Sequence, residues 1–448
     1  MGLDPSIFKA YDVRGIYPDQ INEEAAYRIG WATSKFLNAK TIAVGRDMRL
    51  SSPALAKALI EGITSAGTDA VDLGMIGTDM YYMAVPKYGY DGGIVVTASH
   101  NPKEWNGMKF IRAGAVPISS DTGLKEIKEL SLNGNISKAS VQGKVYQKDI
   151  YEDYVQHVLS FIDPSKIKPY KIVMDPGNGM GGYIASHIFK HLPCQIIPMN
   201  FEPDGTFPNH EPNPMLEENQ GPIVERVLAE KADLGVMWDG DADRCFLVDS
   251  NGRFVEGYFI TALLAEAVLR KKPGATILCD PRNIWAVVDT VRENGGRLVI
   301  NKAGHSFLKE AMRRENAAFG GEMSGHYYFQ ENYCADSGMI PVLMILELMS
   351  EKGKSLAELV EPLRSKYFIS GEINSEVEDA QAIIAKLKER YSDGEISLID
   401  GLSVEYPDWR FNVRPSNTEP LLRLNVEARS KELMEQKRDE LLAQIRGG

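Results

Sequence analysis

Residues 93–102 are Gly93-Ile94-Val95-Val96-Thr97-Ala98-Ser99-His100-Asn101-Pro102. The first four are typical of a buried strand, and the following residues end it abruptly with hydroxyl, imidazole, amide and proline groups. Such strand ends deliver polar side chains to a pocket, because the loops that follow strands lie where ligands bind. Ser99 is therefore the candidate reactive residue, although this stretch alone fits an ordinary surface turn equally well.

Helices and strands alternate on the N-terminal side of this stretch. Asn22 is a helix-starting residue, with Glu23 and Glu24 in the first turn and apolar residues at helical spacing behind them. The pattern predicts helices at 22–37, 53–66 and 80–87, and strands at 41–45, 70–73 and 93–96. This alternation predicts a mostly parallel sheet that is covered by helices on both faces.

The same plan recurs further along the chain, without repeated identities. Apolar strands are predicted at 171–174, 234–238, 275–278 and 317–319, and each ends in a polar loop. After residue 369 the plan changes to helices at 377–389 and 431–446 and strands at 409–413 and 421–426. We therefore expect three related α/β units and a smaller C-terminal α+β domain, with domains at 1–150, 151–251, 252–368 and 369–448.

Composition narrows the function classes. The net charge of −12 argues against a nucleic-acid partner, which requires basic surface. The four cysteines are far apart and form no CxxC pair, as expected for reduced thiols of a cytosolic protein. We expect a soluble cytoplasmic protein without a membrane partner, either a monomer or a weak oligomer.

The strongest chemical pattern is Asp239-Gly240-Asp241-Ala242-Asp243-Arg244. Alternating carboxylates in a tight loop offer several oxygens to one hard cation, and three of them suit Mg²⁺. An EF-hand is excluded, because its sixth position requires Gly and holds Arg244, and its twelfth requires Glu and holds Ser250. An acidic turn without a metal remains an alternative.

Two further loops carry binding chemistry. Arg414-Pro415-Ser416-Asn417-Thr418 combines a guanidinium, hydroxyls and an amide, which is the inventory of a phosphate site. Gly321-Glu322-Met323-Ser324-Gly325-His326 combines donors and acceptors between glycines, which suits sugar hydroxyls. An ordinary Ser/Asn turn and a glycine-capped loop are the respective alternatives.

A glycine pattern supports a different class of protein. Gly177, Gly179 and Gly182 satisfy GxGxxG after a predicted strand, and Glu202 lies 20 residues after the last of them. This spacing is that of a dinucleotide-binding site. Because Asp175-Pro176 separates the strand from the first glycine, a cluster of turn glycines is the alternative. A nicotinamide-dependent oxidoreductase therefore stays open.

Together, four of these stretches resemble the α-D-phosphohexomutase superfamily. The motifs occur in the order TASHNP, DGDADR, GEMSGH and RPSNTEP, with Asn106-Gly107-Met108-Lys109 after the first and Phe8 to Gly15 near the N-terminus. The stretches 408–412 and 334–341 are most similar to the bacterial phosphomannomutases. The resemblance implies four domains around a central cleft, three of them topologically related mixed α/β domains and the fourth a smaller α+β domain.

The resemblance also implies a mechanism. Ser99 would carry a phosphoryl group, pass it to the substrate to form a hexose 1,6-bisphosphate, and receive the other phosphate back. The expected reaction interconverts mannose 6-phosphate and mannose 1-phosphate, for GDP-mannose synthesis, with Mg²⁺ as cofactor and hexose 1,6-bisphosphate as intermediate and activator. Glucose or glucosamine phosphates are alternative substrates, and a non-catalytic sugar-phosphate binder is a third class.

Residue roles follow from the same resemblance. The implied catalytic residues are Ser99, His100, Lys109, Arg14 and Arg244. The implied metal ligands are Ser99, Asp239, Asp241 and Asp243. The implied substrate-binding residues are Tyr11, Arg282, His305, Glu322, Ser324, His326, Arg414, Ser416, Asn417 and Thr418. Arg282 matches only loosely, because the family often has Lys near this position.

Overall fold

The computed structural model describes residues 3–415 and 421–447. Internal contacts divide the chain into two units, Met1–Phe254 with His326–Leu356, and Val255–Gly325 with Ala357–Gly448. Within the described part of the chain, every helix is too short or too polar to span a bilayer.

The N-terminal part of the first unit is built on one mixed sheet. Its elements are β1 (Val13–Ile16), α1 (Glu23–Leu37), β2 (Thr41–Arg46), α2 (Ser52–Ser65), β3 (Asp69–Met75), α3 (Thr78–Tyr88), β4 (Gly92–Val96), β5 (Trp105–Arg112), β6 (Val116–Pro117), α4 (Lys125–Asn133) and β7 (Val145–Gln147). The strand order is β1-β5-β4-β2-β3-β7. The predicted helices and strands are confirmed within a few residues. However, β5 runs antiparallel to both neighbours, because it returns directly after the Ser99 loop.

Helix α1 shows how local sequence builds this layer. Oδ1 of Asn22 accepts a hydrogen bond from the Ala25 N–H at 3.0 Å, which confirms the predicted start. Glycines then allow α1 and α2 to pack closely. A Cβ on Gly30 would lie 2.3 Å from the Leu59 carbonyl oxygen, and one on Gly62 would lie 2.0 Å from that of Tyr27.

A second sheet follows in the first unit. Its elements are α5 (Tyr151–Leu159), β8 (Lys171–Asp175), α6 (Met180–Phe189), β9 (Gln195–Pro198), α7 (Glu217–Glu230), β10 (Leu234–Trp238), β11 (Cys245–Asp249) and β12 (Phe254–Val255). Strand β10 is buried along its whole length, parallel to β8 and antiparallel to β11. The carboxylate loop 239–244 is therefore the connection between two central, antiparallel strands.

The next stretch contributes to both units. Its elements are α8 (Gly257–Lys271), β13 (Thr276–Cys279), α9 (Trp285–Glu293), β14 (Arg297–Ile300), α10 (His305–Glu315), β15 (Phe319–Gly321), β16 (Tyr327–Phe329), β17 (Ala335–Asp336), α11 (Ile340–Lys352) and α12 (Leu356–Arg364). In the second unit β13 is parallel to β14 and β15. The predicted strand at 317–319 was placed two residues early, because the Ala317 N–H still bonds to the Met312 carbonyl at the end of α10.

The C-terminal part of the second unit is an antiparallel sheet with helices. Its elements are β18 (Phe368–Ile369), β19 (Ile373–Glu376), α13 (Ala380–Arg390), β20 (Glu395–Ser397), β21 (Leu402–Glu405), β22 (Trp409–Pro415), β23 (Leu421–Ala428) and α14 (Lys431–Arg446). The strand order is β18-β23-β22-β21-β20, and β19 also pairs with β23. The expected α+β plan is confirmed. Arg414 and Pro415, predicted in the loop, belong to β22.

Candidate active site

The loop after β4 holds Ser99 in an unusual backbone conformation. Its φ is 51°, in the left-handed region that few non-glycine residues adopt. The Ser99 N–H donates to Oγ1 of Thr97 at 2.9 Å, and its side chain is almost fully buried. Oγ of Ser99 donates to Oδ2 of Asp239 at 2.7 Å. The predicted reactive serine and the carboxylate loop are therefore in direct contact.

The three carboxylates of that loop form one buried cluster. Asp239, Asp241 and Asp243 each offer an oxygen, and these oxygens all lie within 4.8 Å of one another. Close packing of the two loops requires Gly240, because a Cβ there would lie 2.4 Å from the Ser99 carbonyl oxygen. Thr78, at the start of α3, donates from Oγ1 to Oδ2 of Asp241 at 2.5 Å.

Two basic side chains balance this cluster only in part. Lys109 on β5 donates from Nζ to Oδ2 of Asp241 at 2.7 Å and to Oδ2 of Asp243 at 2.6 Å. Arg244 donates from Nε to Oδ2 of Asp239 at 3.0 Å. Burial opposes the charge of Lys109, but the three carboxylates outweigh it and raise its pKa. Three carboxylates therefore face two fixed positive charges.

The donor set fits a hard cation. Among residues 3–415 and 421–447, no hydrogen bond reaches Oδ1 of Asp241, although this atom is buried. Burial and the neighbouring charges of Asp243 and Asp241 raise the pKa of Asp239 to about 7, against the lowering effect of Arg244. A buried carboxylate oxygen without a donor and excess negative charge are both compensated when a divalent cation binds.

Two further predicted residues lie against the Ser99 loop. Nδ1 of His100 is 3.1 Å from Oγ of Ser99. Burial, with the positive charges of Arg244 and Arg14, lowers the pKa of His100 well below its ordinary value, so the ring is neutral at pH 7. Arg14 on β1 donates from Nη1 to Oδ1 of Asn101 at 2.5 Å. Tyr11 lies in the bend before β1 and is partly exposed.

His326 belongs to the first unit and lies beside the carboxylate loop. Its Nε2 is 3.8 Å from Oδ1 of Asp243 and 3.8 Å from Oδ2 of Asp336. Its backbone also forms a bridge with Arg244. Asp243, His326 and Asp336 constitute a second group of metal-type ligands. The structure thus brings His326 to the carboxylate loop, a contact that its place in GEMSGH did not indicate.

The glycine-rich loop before α6 packs against the carboxylate loop. The Met180 N–H, at the first turn of this helix, donates to the Gly240 carbonyl oxygen at 2.9 Å. A Cβ on Gly179 would lie 2.7 Å from the same oxygen, and one on Gly182 would lie 2.2 Å from the carbonyl oxygen of Phe201. Close backbone packing therefore accounts for these glycines without a dinucleotide.

In the second unit, Arg282 follows β13 and is rigidly held. Its Nε donates to Oδ1 of Asp280 at 2.8 Å and its Nη2 to Oδ2 of the same residue at 2.9 Å. The paired geometry is the strong, bidentate form of this contact. Burial disfavours the charge of Arg282, but Asp280 and Glu372 outweigh this effect and raise its pKa. Arg282 therefore stays charged.

The loop after β15 surrounds the start of α10. Oε1 of Glu322 accepts a hydrogen bond from the Gly304 N–H at 2.7 Å, and Gly304 has φ of 125°. His305 is the first residue of α10. Ser324 lies in the turn closed by the Gly325 N–H and the Glu322 carbonyl oxygen at 3.1 Å. The structure thus brings Glu322 to Gly304, the residue before His305.

Three arginines of the second unit share one carboxylate. Oε2 of Glu372 accepts from Nη2 of Arg414 at 3.0 Å and from Nη1 of Arg282 at 3.5 Å. Oε1 accepts from Nη1 of Arg423 at 3.4 Å, and Arg414 and Arg423 are directly paired on β22 and β23. Burial raises the pKa of Glu372, but Arg282 and Arg414 outweigh it and lower the pKa. This cluster has the chemistry of an anion site.

Ser416, Asn417 and Thr418, predicted for the same phosphate site, lie outside the described residues. Four residues were not predicted from the sequence: Arg49, Thr78, Glu372 and Arg423. Arg49 follows the predicted strand at 41–45, and its position at a strand end, like that of Ser99, is the signal in the sequence that indicates it. We find no local signal for Glu372.

A buried carboxyl group follows Thr78 on α3. Asp79 on α3 is fully buried and accepts hydrogen bonds from the Tyr154 hydroxyl and, at 2.8 Å, from Oγ of Ser337. Burial raises its pKa to about 8, and the charges of Asp243 and Asp336 add to this shift, while the two hydrogen bonds oppose it. Asp79 is therefore largely protonated at neutral pH.

We expect Asp79→Asn to stabilise the protein, by an amount that grows as the pH rises from 3.8 to about 8. In this window the folded wild type keeps a proton that the unfolded chain releases, so its stability falls with rising pH. Asparagine keeps an acceptor and does not titrate. At the upper end of this window, the melting temperature of Asp79→Asn should exceed that of the wild type by at least about 3 °C. A difference between variant and wild type that stays constant with pH contradicts the prediction. Asp121→Asn, at an exposed carboxylate, is the control.

Comparison with known proteins agrees with this geometry. Models of the phosphoglucomutase/phosphomannomutase alpha/beta/alpha domains I, II and III match residues 5–135, 152–252 and 256–367, and that of the C-terminal domain matches 372–444. "Phosphohexose mutases" of Xanthomonas campestris pv. campestris is 46% identical over 443 residues, covering 98% of this chain and 99% of that protein. "Phosphomannomutase" of Vibrio cholerae is 46% identical over 454 residues, covering 98% of each.

A solved structure extends the likeness to the fold. A phosphoglucomutase/phosphomannomutase family protein from Burkholderia thailandensis superposes with a TM-score of 0.90 at 33% identity, covering 100% of this chain and 99% of that chain. The expected fold class, three mixed α/β domains and a C-terminal domain, is thereby confirmed. The chain is an enzyme of the phosphohexomutase type, a phosphotransferring isomerase, and belongs to the phosphoglucomutase/phosphomannomutase family.

Proposed function

We propose that this chain is a Mg²⁺-dependent phosphomannomutase, which interconverts mannose 6-phosphate and mannose 1-phosphate. The observation that carries the proposal is the contact between Oγ of Ser99 and Oδ2 of Asp239, 2.7 Å apart at the edge of a buried carboxylate cluster. Full-length relatives that bear the name phosphomannomutase support mannose as the sugar.

The metal would be held by Asp239, Asp241, Asp243 and Oγ of Ser99. The support is the oxygen-only donor set, its excess negative charge and the buried Oδ1 of Asp241. When bound, Mg²⁺ would neutralise negative charge on the phosphoryl oxygens.

Ser99 would carry the phosphoryl group in the active enzyme. Its transfer to a substrate hydroxyl gives a hexose 1,6-bisphosphate, which turns around and returns its other phosphate to Ser99. In the first transfer the P–O bond to Ser99 breaks, a P–O bond to the sugar oxygen forms, and the proton lost by that hydroxyl is balanced by the one gained at Oγ of Ser99. The second transfer reverses these changes at the other phosphate. Phosphoryl transfer of this kind depends mainly on positioning and on charge stabilisation.

The residues around Ser99 divide the remaining work. Lys109, with its raised pKa, stays protonated and acts as a fixed positive charge. Arg244 adds a second charge beside Asp239. His100 is neutral, and its Nδ1 lies 3.1 Å from Oγ of Ser99, beside the group that would carry the phosphate. Arg14 holds the loop through Asn101.

Residues of the sugar and phosphate loops would recognise the substrate. We assign sugar hydroxyls to Glu322 and Ser324, which offer an acceptor and a donor. We assign the phosphate that does not react to the arginine cluster around Glu372. The other substrate-binding residues implied by the family are Tyr11, Arg282, His305, His326, Arg414, Ser416, Asn417 and Thr418.

Dual specificity for mannose and glucose phosphates is the second candidate. The relative named "Phosphohexose mutases" and the family name itself favour it. Steady-state rates with mannose 1-phosphate and glucose 1-phosphate, with Mg²⁺ and a trace of hexose 1,6-bisphosphate, separate the two. A preference of about tenfold or more in kcat/KM for mannose supports the proposal, and similar values support dual specificity. Absence of turnover with both sugar phosphates overturns the proposed mutase activity.

Several expectations from the sequence stay predictions. They are the supply of GDP-mannose synthesis, the cytoplasmic location, a monomeric or weakly oligomeric state, and domain boundaries near residues 150, 251 and 368.

A further inference from the structure

Arg49 is fully buried and directs its guanidinium group at the backbone of the Ser99 loop. Its Nη2 donates to the carbonyl oxygens of Ser99 at 2.9 Å and Asn101 at 2.6 Å. Its Nη1 donates to those of Pro102 at 2.7 Å and Trp105 at 3.0 Å. One side chain therefore donates hydrogen bonds to four carbonyl groups within a stretch of seven residues, 99 to 105.

Only arginine combines the features that this contact requires. Its guanidinium is planar, carries five N–H donors in a fixed arrangement and stays charged. Burying such a charge is costly unless it is fully hydrogen-bonded. Nε makes no hydrogen bond among the described residues, but it forms an ion pair with Oδ2 of Asp47 at 3.3 Å, and the guanidinium lies over the Phe207 ring at 5.0 Å. The group is thus held from both sides.

The Ser99 loop requires such external support. Ser99 adopts φ of 51°, which costs a non-glycine residue about 1 kcal/mol or more. The hydrogen bonds of Arg49 compensate for this strain and hold the turn in one conformation. Without them, we expect the loop to relax and Oγ of Ser99 to lose its position 2.7 Å from Asp239.

Peptide geometry adds an electrostatic consequence. In a trans peptide the C=O and N–H groups point to opposite sides. Because the Ser99 carbonyl faces Arg49, the N–H of His100 faces away from it. The same holds for the Pro102 carbonyl and the N–H of Lys103. Arg49 therefore turns the negative ends of these dipoles toward itself, which lowers the repulsion that a phosphorylated Ser99 would meet.

We propose that Arg49 is a positioning residue for phosphoryl transfer at Ser99, acting through the backbone of residues 99–105 without contact to substrate or metal. This inference rests on the proposed function of Ser99. It concerns the rate of the transfer step and predicts little effect on substrate binding.

The test is Arg49→Lys. Lysine keeps the charge but has a single nitrogen, which cannot reach four diverging carbonyl groups. We expect kcat to fall about 100-fold, with KM changed by less than about threefold, because small misplacement of reacting groups has effects of this size. The rate at which Ser99 takes up phosphate from hexose 1,6-bisphosphate, followed by intact mass, should fall in parallel. Amide exchange in residues 97–106 should become faster.

Arg28→Lys is the matched control. Arg28 also donates to a backbone carbonyl, that of Ser131 at 3.3 Å, in a helical layer that the mechanism does not use. Its turnover and phosphate uptake should equal those of the wild type.

Asp47→Asn is the second variant and decides the question if the lysine variant does not fold. It leaves Arg49 in place and removes the charge beside Nε, so a smaller fall in kcat, about tenfold, is expected. Folded variants with unchanged kcat, or with a raised KM and unchanged kcat, overturn the inference. Persistent turnover in Ser99→Ala would instead overturn the proposed function, whatever the Arg49 variants show.

Discussion

Ser99→Ala is expected to lower kcat by about 10⁴-fold or more, because the variant has no oxygen to carry the phosphoryl group. Oγ of Ser99 lies 2.7 Å from Oδ2 of Asp239 and 3.1 Å from Nδ1 of His100, so the mutation removes the atom on which both contacts converge. The measurement is the rate of hexose phosphate isomerisation with Mg²⁺ and hexose 1,6-bisphosphate.

The fold should survive this substitution. Ser99→Ala removes the hydrogen bonds of Oγ with Asp239 and His100, worth about 1 kcal/mol each, and leaves the backbone contacts of the loop in place. A melting curve within a few degrees of the wild type therefore accompanies the loss of activity. Ser186→Ala, at an exposed serine on α6, should keep full activity. After incubation with the bisphosphate, the intact mass of the wild type should rise by one phosphoryl group and that of Ser99→Ala should not, which would locate the phosphate on Ser99. Substantial turnover by Ser99→Ala contradicts the role given to this residue.

Asp241→Asn is expected to lower kcat about 10³-fold at low Mg²⁺, equivalent to about 4 kcal/mol. Asp241 is fully buried, and its Oδ2 accepts from Thr78 and Lys109 while Oδ1 is buried without a donor among the described residues. An amide has the same shape but no charge, and it offers one oxygen fewer to a hard cation. High Mg²⁺ should restore part of the rate, because the defect is in metal affinity.

The metal prediction has its own controls. A chelator should remove the activity of the wild type, and added Mg²⁺ should restore it. Asp204→Asn changes a carboxylate that accepts from Thr206 within its own turn, and its Mg²⁺ dependence should match that of the wild type. An unchanged Mg²⁺ dependence in Asp241→Asn contradicts the assignment of the metal site.

Much of the local structure could be predicted from single stretches of sequence. Asn22 indicated the start of α1, and the apolar run 234–238 is the strand β10 with the predicted bounds. Local patterns suffice here because capping and periodicity involve residues only a few positions apart. The same reasoning misplaced β15 and assigned Arg414 to a loop, since neighbouring strands and helices determine where a strand begins and ends.

The chemical partners around the site could not be predicted in this way. Lys109 and Asp241 are 132 residues apart in sequence, and Nζ lies 2.7 Å from Oδ2. Likewise Glu372, which has no distinctive neighbours in sequence, is brought to Arg282, 90 residues away, at 3.5 Å. Burial then changes the chemistry of these groups, as the raised pKa of Asp239 illustrates.

By itself, the sequence determined the alternation of helices and strands, the ordered motifs that identify the family, and the residue types at the candidate site. Only the tertiary structure decided which charges meet, that His326 lies beside Asp243, and that Arg49 holds the backbone around Ser99. The physical reason is the separation in sequence of the residues that interact. Helix caps and strand periodicity arise between near neighbours in the chain. Hydrogen bonds from one buried guanidinium to a distant loop exist only after β2 and β4 have paired and water has been excluded.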